Sequence, residues 1–512
     1  MTAAGMLIIP VLGAMLAAVA GERRRLVAAL GALSTLGAFV LALFLPGARG
    51  VDLQWLPGLG VGFSLDPNGA ASVLVVVTAL VMLPTVLVAS LKVKERPGSF
   101  VALLLVAQAG LAGIFMARDL VLFYVFWEAT LIPGLLLLGM FGLDKRRAAV
   151  IKYLAYAVTG SFLMLVSILS LKVLSGAASF HISDLMLAVP LLDATTQTWL
   201  FLGLAAGMAV KLPIWPLHSW LVDLNDQNHP SGAADVLGTL YKVGGFGFFA
   251  WTLPLLPAGA ERVAPFLLVL GAFTAVYGAV IATTQVSFKR LLAYGSISHM
   301  GIVAVGVFGL HIAGLNGAIY LLAAQMLSTG ALFLISGMLY ERRGTFDLGT
   351  YGGYAKSAPA LAAITLFVIF AFIGVPGLGN FPGEFLALLG SFQTAPWLAA
   401  FATLTVIAAG VLGVNLYQKI YQGPQGASVR DVDSLEAYVL VPFVAGILWL
   451  GLAPAPQLQR IEEQSQLVVM QLERAAAVTN VAALQGPAAA AAVVEPTAPA
   501  LAAETLGLGE RQ

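Results

Sequence analysis

Long apolar runs separated by short charged segments fill the chain from residue 2 to about residue 455. A helix that crosses a bilayer needs about 20 apolar residues. Fourteen segments approach or exceed this length, at 2–21, 26–45, 70–91, 99–117, 119–140, 150–174, 198–216, 231–257, 263–284, 290–310, 312–339, 358–390, 396–417 and 437–455. The pattern therefore predicts an all-α polytopic membrane protein with about 14 transmembrane helices.

The composition supports a membrane protein. Of 512 residues, 60% are hydrophobic and 10% are charged, whereas a soluble domain carries about 25% charged residues. The net charge of +1 gives no indication of nucleic-acid binding. Cysteine is absent and the five histidines are scattered, so we expect no iron–sulfur cluster and no metal site in this chain.

The distribution of Lys and Arg predicts the orientation. Loops after odd-numbered spans hold 17 of the 26 Lys and Arg, and loops after even-numbered spans hold 3. Cytoplasmic loops are rich in these residues. We therefore expect a multi-pass protein of the bacterial inner (plasma) membrane with both termini on the outer, periplasmic side.

Several charged or titratable residues stand inside the predicted spans. A charge at the centre of the membrane costs about 2.5–3.5 kcal/mol on insertion scales and marks a functional site by default. The strongest candidates are Glu128, Lys211, Lys242 and Glu384, and weaker ones are Asp235 and His299. Such groups on different helices can relay protons, or they can form ion pairs that only hold helices together.

Asp119 stands at the predicted start of the fifth span. A carboxylate in this position caps the N-terminus of a helix. We therefore expect Asp119 to have a structural role beside any supporting role in proton transfer.

Two predicted spans contain helix breakers. The seventh reads "KLPIWP", with Pro213 and Pro216 after Lys211, and the twelfth reads "IGVPGLGNFPGE", with Pro376 before Glu384. Irregular backbone at membrane depth is tolerated only where protein or a water-filled cavity satisfies it. Breaks at matching places in two halves are typical of inverted repeats around an ion site, although either break alone could be an ordinary proline kink.

The breaks predict two inverted five-helix repeats, made of helices 4–8 and 9–13, with helices 7 and 12 broken. The Ala/Pro-rich sequence from about residue 460 predicts a flexible appendage with at most one short helix. The expected division is 1–98 (helices 1–3), 99–257 (first repeat), 258–420 (second repeat), 421–459 (helix 14) and 460–512 (tail).

Five stretches resemble a known family, in order along residues 60–455. They read "WEATLIPG", "VKLPIWPLHSWL", "FKRLLAYGSISHMG", "LYERRGT" and "GVPGLGNFPGEFLALLG". They resemble the antiporter-like membrane subunits of respiratory complex I (NADH-quinone oxidoreductase), most of all the chain M (subunit 4) group. They are also similar to Mrp-type cation/proton antiporter subunits.

The resemblance implies a role for each candidate residue. Glu128 would pair with Lys211, Lys242 would be the central relay, and Glu384 would lead toward the outside. His299 and His218 would lie on a hydrated axis, and Asp235 matches an acidic position on helix eight. Three histidine or aspartate positions of the family differ here, where the sequence has Asn225, Thr329 and Ser287.

The implied function is a proton-translocating subunit of a translocase, driven by redox energy from other subunits. The chain would do no redox chemistry itself, and FMN, iron–sulfur clusters and quinone would belong to partner subunits. Expected partners are other membrane and peripheral subunits of complex I, neighbouring antiporter-like subunits, the lipid bilayer and protons. The alternatives are a subunit of a Mrp-type sodium/proton antiporter and a passive membrane scaffold.

Overall fold

The computed structural model describes residues 2–424 and 428–485. In this part the helices are α1 (Thr2–Ala20), α2 (Arg24–Leu43), α3 (Ala70–Lys92), α4 (Pro97–Met116), α5 (Leu120–Phe141), α6 (Arg146–Ser175), α7 (Ile182–Ala188), α8 (Ala194–Lys211), α9 (Ser219–Gln227), α10 (Ala233–Leu240), α11 (Gly244–Gly247), α12 (Leu253–Leu255), α13 (Pro257–Thr284), α14 (Phe288–Phe308), α15 (Ile312–Arg343), α16 (Pro359–Phe372), α17 (Asn380–Thr394), α18 (Pro396–Tyr421), α19 (Ser434–Leu452) and α20 (Ala455–Gln485). A π-helical stretch, Phe248–Thr252, joins α11 to α12. Two strands, β1 (Val51–Leu56) and β2 (Val61–Leu65), form an antiparallel hairpin.

Eleven helices in the described part are long and apolar enough to cross a membrane. The prediction of a mainly helical, polytopic membrane protein is therefore confirmed. The eleven do not include the predicted spans at 198–216, 231–257 and 358–390. Here α8 stops at Lys211, the second segment is divided among α10, α11 and α12, and the third is divided between α16 and α17.

Helices α14 and α15 lie at the centre of the molecule and are buried along almost their whole length. Small residues let neighbouring helices approach them closely. A Cβ atom at Gly301 of α14 would stand 2.2 Å from the backbone nitrogen of Ala275 in α13. Glycine is therefore required at this contact, as is common between membrane helices.

Within residues 2–424 and 428–485, helices are interrupted at three places inside apolar segments. Two breaks lie where the sequence predicts them, at 212–218 between α8 and α9 and at 373–379 between α16 and α17. The third, at 241–243 between α10 and α11, contains no proline and was not predicted. Just after it, Gly244 packs so tightly on α8 that a Cβ atom would stand 2.1 Å from the Met208 carbonyl oxygen.

A short β-hairpin between α2 and α3 is a feature that the prediction of an all-α membrane protein did not include. Its strands pair Val51 with Leu65 and Asp52 with Ser64, and its turn uses Gly60 at φ +68°. The alternating sequence of the second strand and the left-handed glycine are both typical of a hairpin. Sequence analysis missed it because these strands are short and stand between two long apolar runs.

The prediction of a flexible tail from residue 460 is wrong for the first part of that segment. Residues Ala455–Gln485 form the 31-residue helix α20, which packs against α3, α13 and α15. Ile461, Ser465, Val468 and Leu472 are buried, and their spacing of three and four residues places them on one helical face. The remainder of the predicted tail lies outside the described residues.

Candidate functional site

Lys211, the last residue of α8, is buried, with 3% of its surface exposed. Its Nζ atom donates hydrogen bonds to the Trp127 carbonyl oxygen at 3.1 Å and to Thr130 Oγ1 at 2.9 Å. The same atom lies 4.4 Å from the centroid of the Trp127 ring. The inner face of α5 therefore holds the ammonium group with neutral oxygens and an aromatic ring.

The expected ion pair between Glu128 and Lys211 is not formed. Within residues 2–424 and 428–485, no Glu128 oxygen comes within ion-pair distance of Lys211, although Glu128 lies near enough for its charge to act on the lysine. Glu128 is half-buried, between Val125 and Ile132, which are 39% and 60% exposed. It therefore lies at the partly exposed side of α5, whereas Trp127, one position away, is buried and contacts Lys211.

Backbone groups in and beside the break after Lys211 form hydrogen bonds with neighbouring side chains. Pro213 and Pro216 have no N–H to donate, the Trp215 backbone N–H donates to Thr274 Oγ1 at 3.0 Å, and Trp220 Nε1 donates to the Val210 carbonyl at 3.0 Å. These contacts fix the irregular backbone beside the charge.

His218 stands at the end of this break, just before α9. It is buried, and its ring packs edge-on against Tyr277, with ring centroids 5.4 Å apart. Its Nδ1 atom has no hydrogen-bond partner among the described residues. His218 therefore has hydrogen-bonding capacity to spare beside the break.

Lys242 lies in the unpredicted break between α10 and α11 and is buried. Its Nζ atom donates a hydrogen bond to Ser296 Oγ in α14. Like Lys211, this lysine therefore sits where a helix is interrupted and contacts a neutral oxygen.

Glu384 and His299 form a close buried pair. Glu384 Oε1 lies 3.0 Å from His299 Nδ1, with side-chain exposures of 7% and 2%. Gly374 adopts φ +75° in the break that also contains Pro376, and a Cβ atom on Gly374 would stand 2.3 Å from Glu384 Oε2. Glycine at this position lets the carboxylate lie directly against the broken backbone.

Asn380 holds the two sides of this second break together. Its Nδ2 atom donates to the Phe372 carbonyl at the end of α16, at 3.1 Å. Its Oδ1 atom accepts from Ser328 Oγ of α15, at 3.0 Å. The irregular backbone near Glu384 is therefore stabilised by polar contacts of its own.

Asp235 forms an ion pair with a residue that sequence reasoning missed. Lys289 Nζ lies 2.7 Å from Asp235 Oδ2, and both side chains are fully buried. Lys289 also donates to the carbonyls of Asn228 and His229, at 2.9 and 3.3 Å. Lys289 is one of the 17 Lys and Arg that the sequence analysis assigns to loops after odd-numbered spans, although its place at the start of an apolar run was a usable signal.

The polar contacts follow one face of α14. Asp235 and Lys242 are seven residues apart, as are their partners Lys289 and Ser296, and His299 follows three residues later. Residues separated by three, four or seven positions share a helical face. The structure therefore brings Lys242, His299 and Glu384 to one side of α14, and Lys211 to the inner face of α5.

Asp119 is placed away from these contacts, in the cap that sequence analysis predicted. It precedes α5 and accepts from the backbone N–H groups of Val121 and Leu122, at 2.9 and 3.1 Å. It also accepts from the N–H of Gly62 in the hairpin, at 2.9 Å. These three backbone N–H groups explain why a carboxylate stands here: it caps α5 and holds the hairpin.

The buried amines, imidazoles and carboxylates can accept and release protons, and they lie on helices packed against one another. Hydroxyl and carbonyl oxygens beside each amine can stabilise either protonation state. Among the residues that the structure describes, no three His, Cys, Asp or Glu side chains come together as metal ligands would.

Comparison with known proteins gives consistent matches. Residues 117–409 match the family described as NADH:quinone oxidoreductase/Mrp antiporter, transmembrane. The chain is 43% identical over 432 residues to NADH-quinone oxidoreductase subunit 13 of Thermus thermophilus, covering 83% of this chain and 91% of that protein. It is thus similar to a curated relative over nearly the whole length of both.

Solved structures show the same similarity. A chain of respiratory complex I from Thermus thermophilus with bound NADH matches with a TM-score of 0.87 and 39% identity, covering 92% of this chain and 100% of that one. A chain of the Mrp complex from Dietzia sp. matches with a TM-score of 0.79 and 19% identity, covering 99% of this chain and 59% of that one. The second match shows a shared fold alone.

Proposed function

Because the chain belongs to the NADH:quinone oxidoreductase/Mrp antiporter transmembrane family, we propose that it is a proton-translocating membrane subunit of an NADH:quinone oxidoreductase. The observation that carries this proposal is the near full-length similarity to the Thermus subunit. The chain works within a complex of membrane and peripheral subunits in the bacterial inner membrane. Redox energy released in partner subunits drives proton translocation by this chain. Those partner subunits hold FMN, iron–sulfur clusters and quinone.

The proposed proton route uses Glu128, Lys211, Lys242, His299 and Glu384. Its support is that Lys211 and Lys242 are held by neutral oxygens rather than by carboxylates. A buried lysine without a bound carboxylate loses less electrostatic stabilisation when it releases its proton. Each lysine can therefore change its charge as neighbouring groups change theirs.

We propose the two inverted repeats within 99–257 and 258–420, inside a protein of fourteen spans. The contacts support this division. In the first unit, the broken helix places Lys211 against α5, the second helix of that unit. In the second unit, the broken helix places Glu384 against His299 of α14, again the second helix. Equivalent helices thus meet at the charged group in both halves.

The proposed orientation places both termini on the periplasmic side. Its support remains the excess of Lys and Arg in loops after odd-numbered spans. The burial of Lys289 removes only one residue from that excess. The remaining segments, 1–98, 421–459 and the tail, would flank the two repeats.

The test is replacement of the central charges in the assembled complex. Lys211→Met and Glu128→Gln should each lower coupled quinone reduction and proton pumping at least tenfold, which corresponds to about 1.4 kcal/mol in the barrier. Lys94→Met and Glu95→Gln are matched controls, because both residues are exposed and adjacent in a loop. Wild-type pumping in the Lys211 and Glu128 variants would show that the route is wrong.

A subunit of a Mrp-type sodium/proton antiporter is the second candidate, supported by the shared fold. The lower identity makes it the weaker one. Purification of the tagged chain distinguishes the two functions. Co-purifying flavin and iron–sulfur absorbance supports the oxidoreductase, whereas sodium/proton exchange in vesicles without NADH oxidation would support the antiporter.

A further inference from the structure

Two buried tyrosines next to the proposed proton route carry hydroxyl groups that make no hydrogen bond to the described residues. Tyr153 of α6 and Tyr241, which follows α10, are 1% and 2% exposed. Neither hydroxyl has a hydrogen-bond partner among the described residues. Buried polar groups in proteins are almost always bonded to protein or to ordered water.

The two rings meet at Gly134 on the inner face of α5. A Cβ atom built on Gly134 would stand 2.9 Å from Tyr241 Cε2, 3.2 Å from the Tyr241 hydroxyl oxygen and 3.4 Å from Tyr153 Cε1. Gly134 follows Thr130 by four residues and Trp127 by seven, so it continues the face that holds Lys211. The tyrosines and the lysine therefore share one surface of α5.

Both tyrosines are close to the charged groups of the route. Lys211 Nζ lies 5.8 Å from the centroid of the Tyr241 ring. Glu128 acts electrostatically on both Tyr153 and Lys211, and Tyr153 acts on Tyr241. Tyr241 thus stands beside Lys211, and Glu128, which does not touch Lys211, lies within electrostatic range of Tyr153.

Packing alone does not account for the hydroxyl groups. Tyr153 stacks on Trp220 with ring centroids 4.7 Å apart and an interplanar angle of 13°, and a phenylalanine ring could make the same contact. A hydroxyl buried without a partner costs about 1–3 kcal/mol. A water molecule bonded to both phenols would remove this cost, since buried waters commonly bridge such groups.

We propose that the hydroxyls of Tyr153 and Tyr241 bind an ordered water beside Gly134, and that this water connects Glu128 with Lys211. The inference rests on the proposed function above. The Glu128 carboxyl releases a proton into the hydrogen-bonded chain, and the chain delivers a proton to Lys211 Nζ. The carboxyl becomes a carboxylate, the amine becomes an ammonium, and water and phenols are unchanged at the end.

Tyr153→Phe and Tyr241→Phe, made in the assembled complex, test the bridge, because each removes one oxygen and keeps its ring. We expect turnover to fall about tenfold, with the KM for quinone unchanged and the rate less dependent on pH. Tyr421→Phe is the matched control, because its buried hydroxyl bonds to Thr365, 2.7 Å away. That variant should keep wild-type turnover.

Gly134→Ala tests the same site from α5, since its methyl group would stand 2.9 Å from Tyr241 Cε2 and would force the ring away from the proposed water. It should also lower turnover, whereas Gly139→Ala should not, because a Cβ atom there meets only Val150 at 3.7 Å. A high-resolution structure of the wild-type complex should show a water bonded to both phenols, which either phenylalanine variant should lack.

The outcomes separate this inference from the proposed function. Normal turnover in both phenylalanine variants, together with loss of pumping in Lys211→Met, would overturn the bridge and leave the proton route standing. Normal pumping in Lys211→Met would overturn the route itself. Loss of turnover in Tyr421→Phe equal to that in Tyr241→Phe would also contradict the bridge, because removal of any buried phenol would then have the same effect.

Discussion

The buried Asp235–Lys289 ion pair allows a sharp prediction about stability. Lys289→Met removes the ammonium and leaves the Asp235 carboxylate in a site with no exposed surface. Loss of one partner from a buried ion pair costs about 3–5 kcal/mol, because the remaining charge is uncompensated. The carbonyls of Asn228 and His229 lose their donor as well.

The partner substitution should cost less. In Asp235→Asn, Lys289 keeps both carbonyl acceptors, at 2.9 and 3.3 Å, and the new amide oxygen can replace the carboxylate as an acceptor. A double variant that combines Lys289→Met with Asp235→Asn contains no buried charge at this site. Its remaining cost is that of two carbonyls without a donor, about 1–3 kcal/mol each at most. The double variant should therefore be more stable than Lys289→Met alone.

The assay is the temperature at which half of the purified complex remains intact after brief heating, measured by fluorescence-detected gel filtration. Lys94→Met provides the control for loss of an exposed lysine. A double variant as unstable as the sum of the single variants would refute the reasoning, because independent sites add and coupled ones do not. Unchanged stability in Lys289→Met would refute it as well.

Three further predictions concern groups outside the proposed route. Burial lowers the pKa of the loop residue His181 below its usual 6.5, so its stabilisation is full above about pH 6.5 and is lost as the pH falls toward the lower, folded-state pKa. The protection of the hairpin amides at 51–65 against exchange, expressed relative to the intrinsic exchange rate at each pH, should be lower at about pH 5 than at about pH 7.5, because His181 contacts this hairpin through Ser64. His181→Gln should abolish this difference in protection. Arg342→Gln should destabilise the complex by about 3 kcal/mol in thermal unfolding, because it removes two hydrogen bonds from a buried carboxylate while a second arginine stays in place. Asp119→Ala should cost about 1 kcal/mol as a lost helix cap, and Asp119→Asn should leave pumping unchanged; loss of pumping in the latter would place Asp119 in the route.

The sequence was most informative where a charged residue or a proline stands inside an apolar segment. Apolar runs predicted the helices because a bilayer-spanning segment has a required length. Glu384 and Lys242 were found because charges in such runs are conspicuous, and the two proline-containing breaks because proline cannot continue a helix. None of these inferences depends on how the helices are rotated.

Rotation and partners could not be read from the sequence. Glu128 and Trp127 are neighbours in the chain, yet adjacent residues differ by about 100° around a helix, so Glu128 is partly exposed while Trp127 is buried and contacts Lys211. The sequence places Lys289 in a loop. Its burial could not be predicted, because it depends on the Asp235 carboxylate from a helix that is distant in sequence. The break at Lys242 has no proline to mark it in the sequence, and it lies just before the close approach of Gly244 to α8.

The three buried lysines Lys211, Lys242 and Lys289 differ in what their ammonium groups contact among the described residues. An ammonium group has three donors; Lys289 donates to two carbonyls and forms an ion pair with a carboxylate. Lys211 bonds to two neutral oxygens and Lys242 to one hydroxyl among the described residues. A lysine bound by a carboxylate gains most from staying charged, so Lys289 is suited to fix α10 against α14. Lys211 and Lys242 donate hydrogen bonds only to neutral oxygens among the described residues, so burial alone does not distinguish a lysine proposed for the proton route from one that holds two helices together.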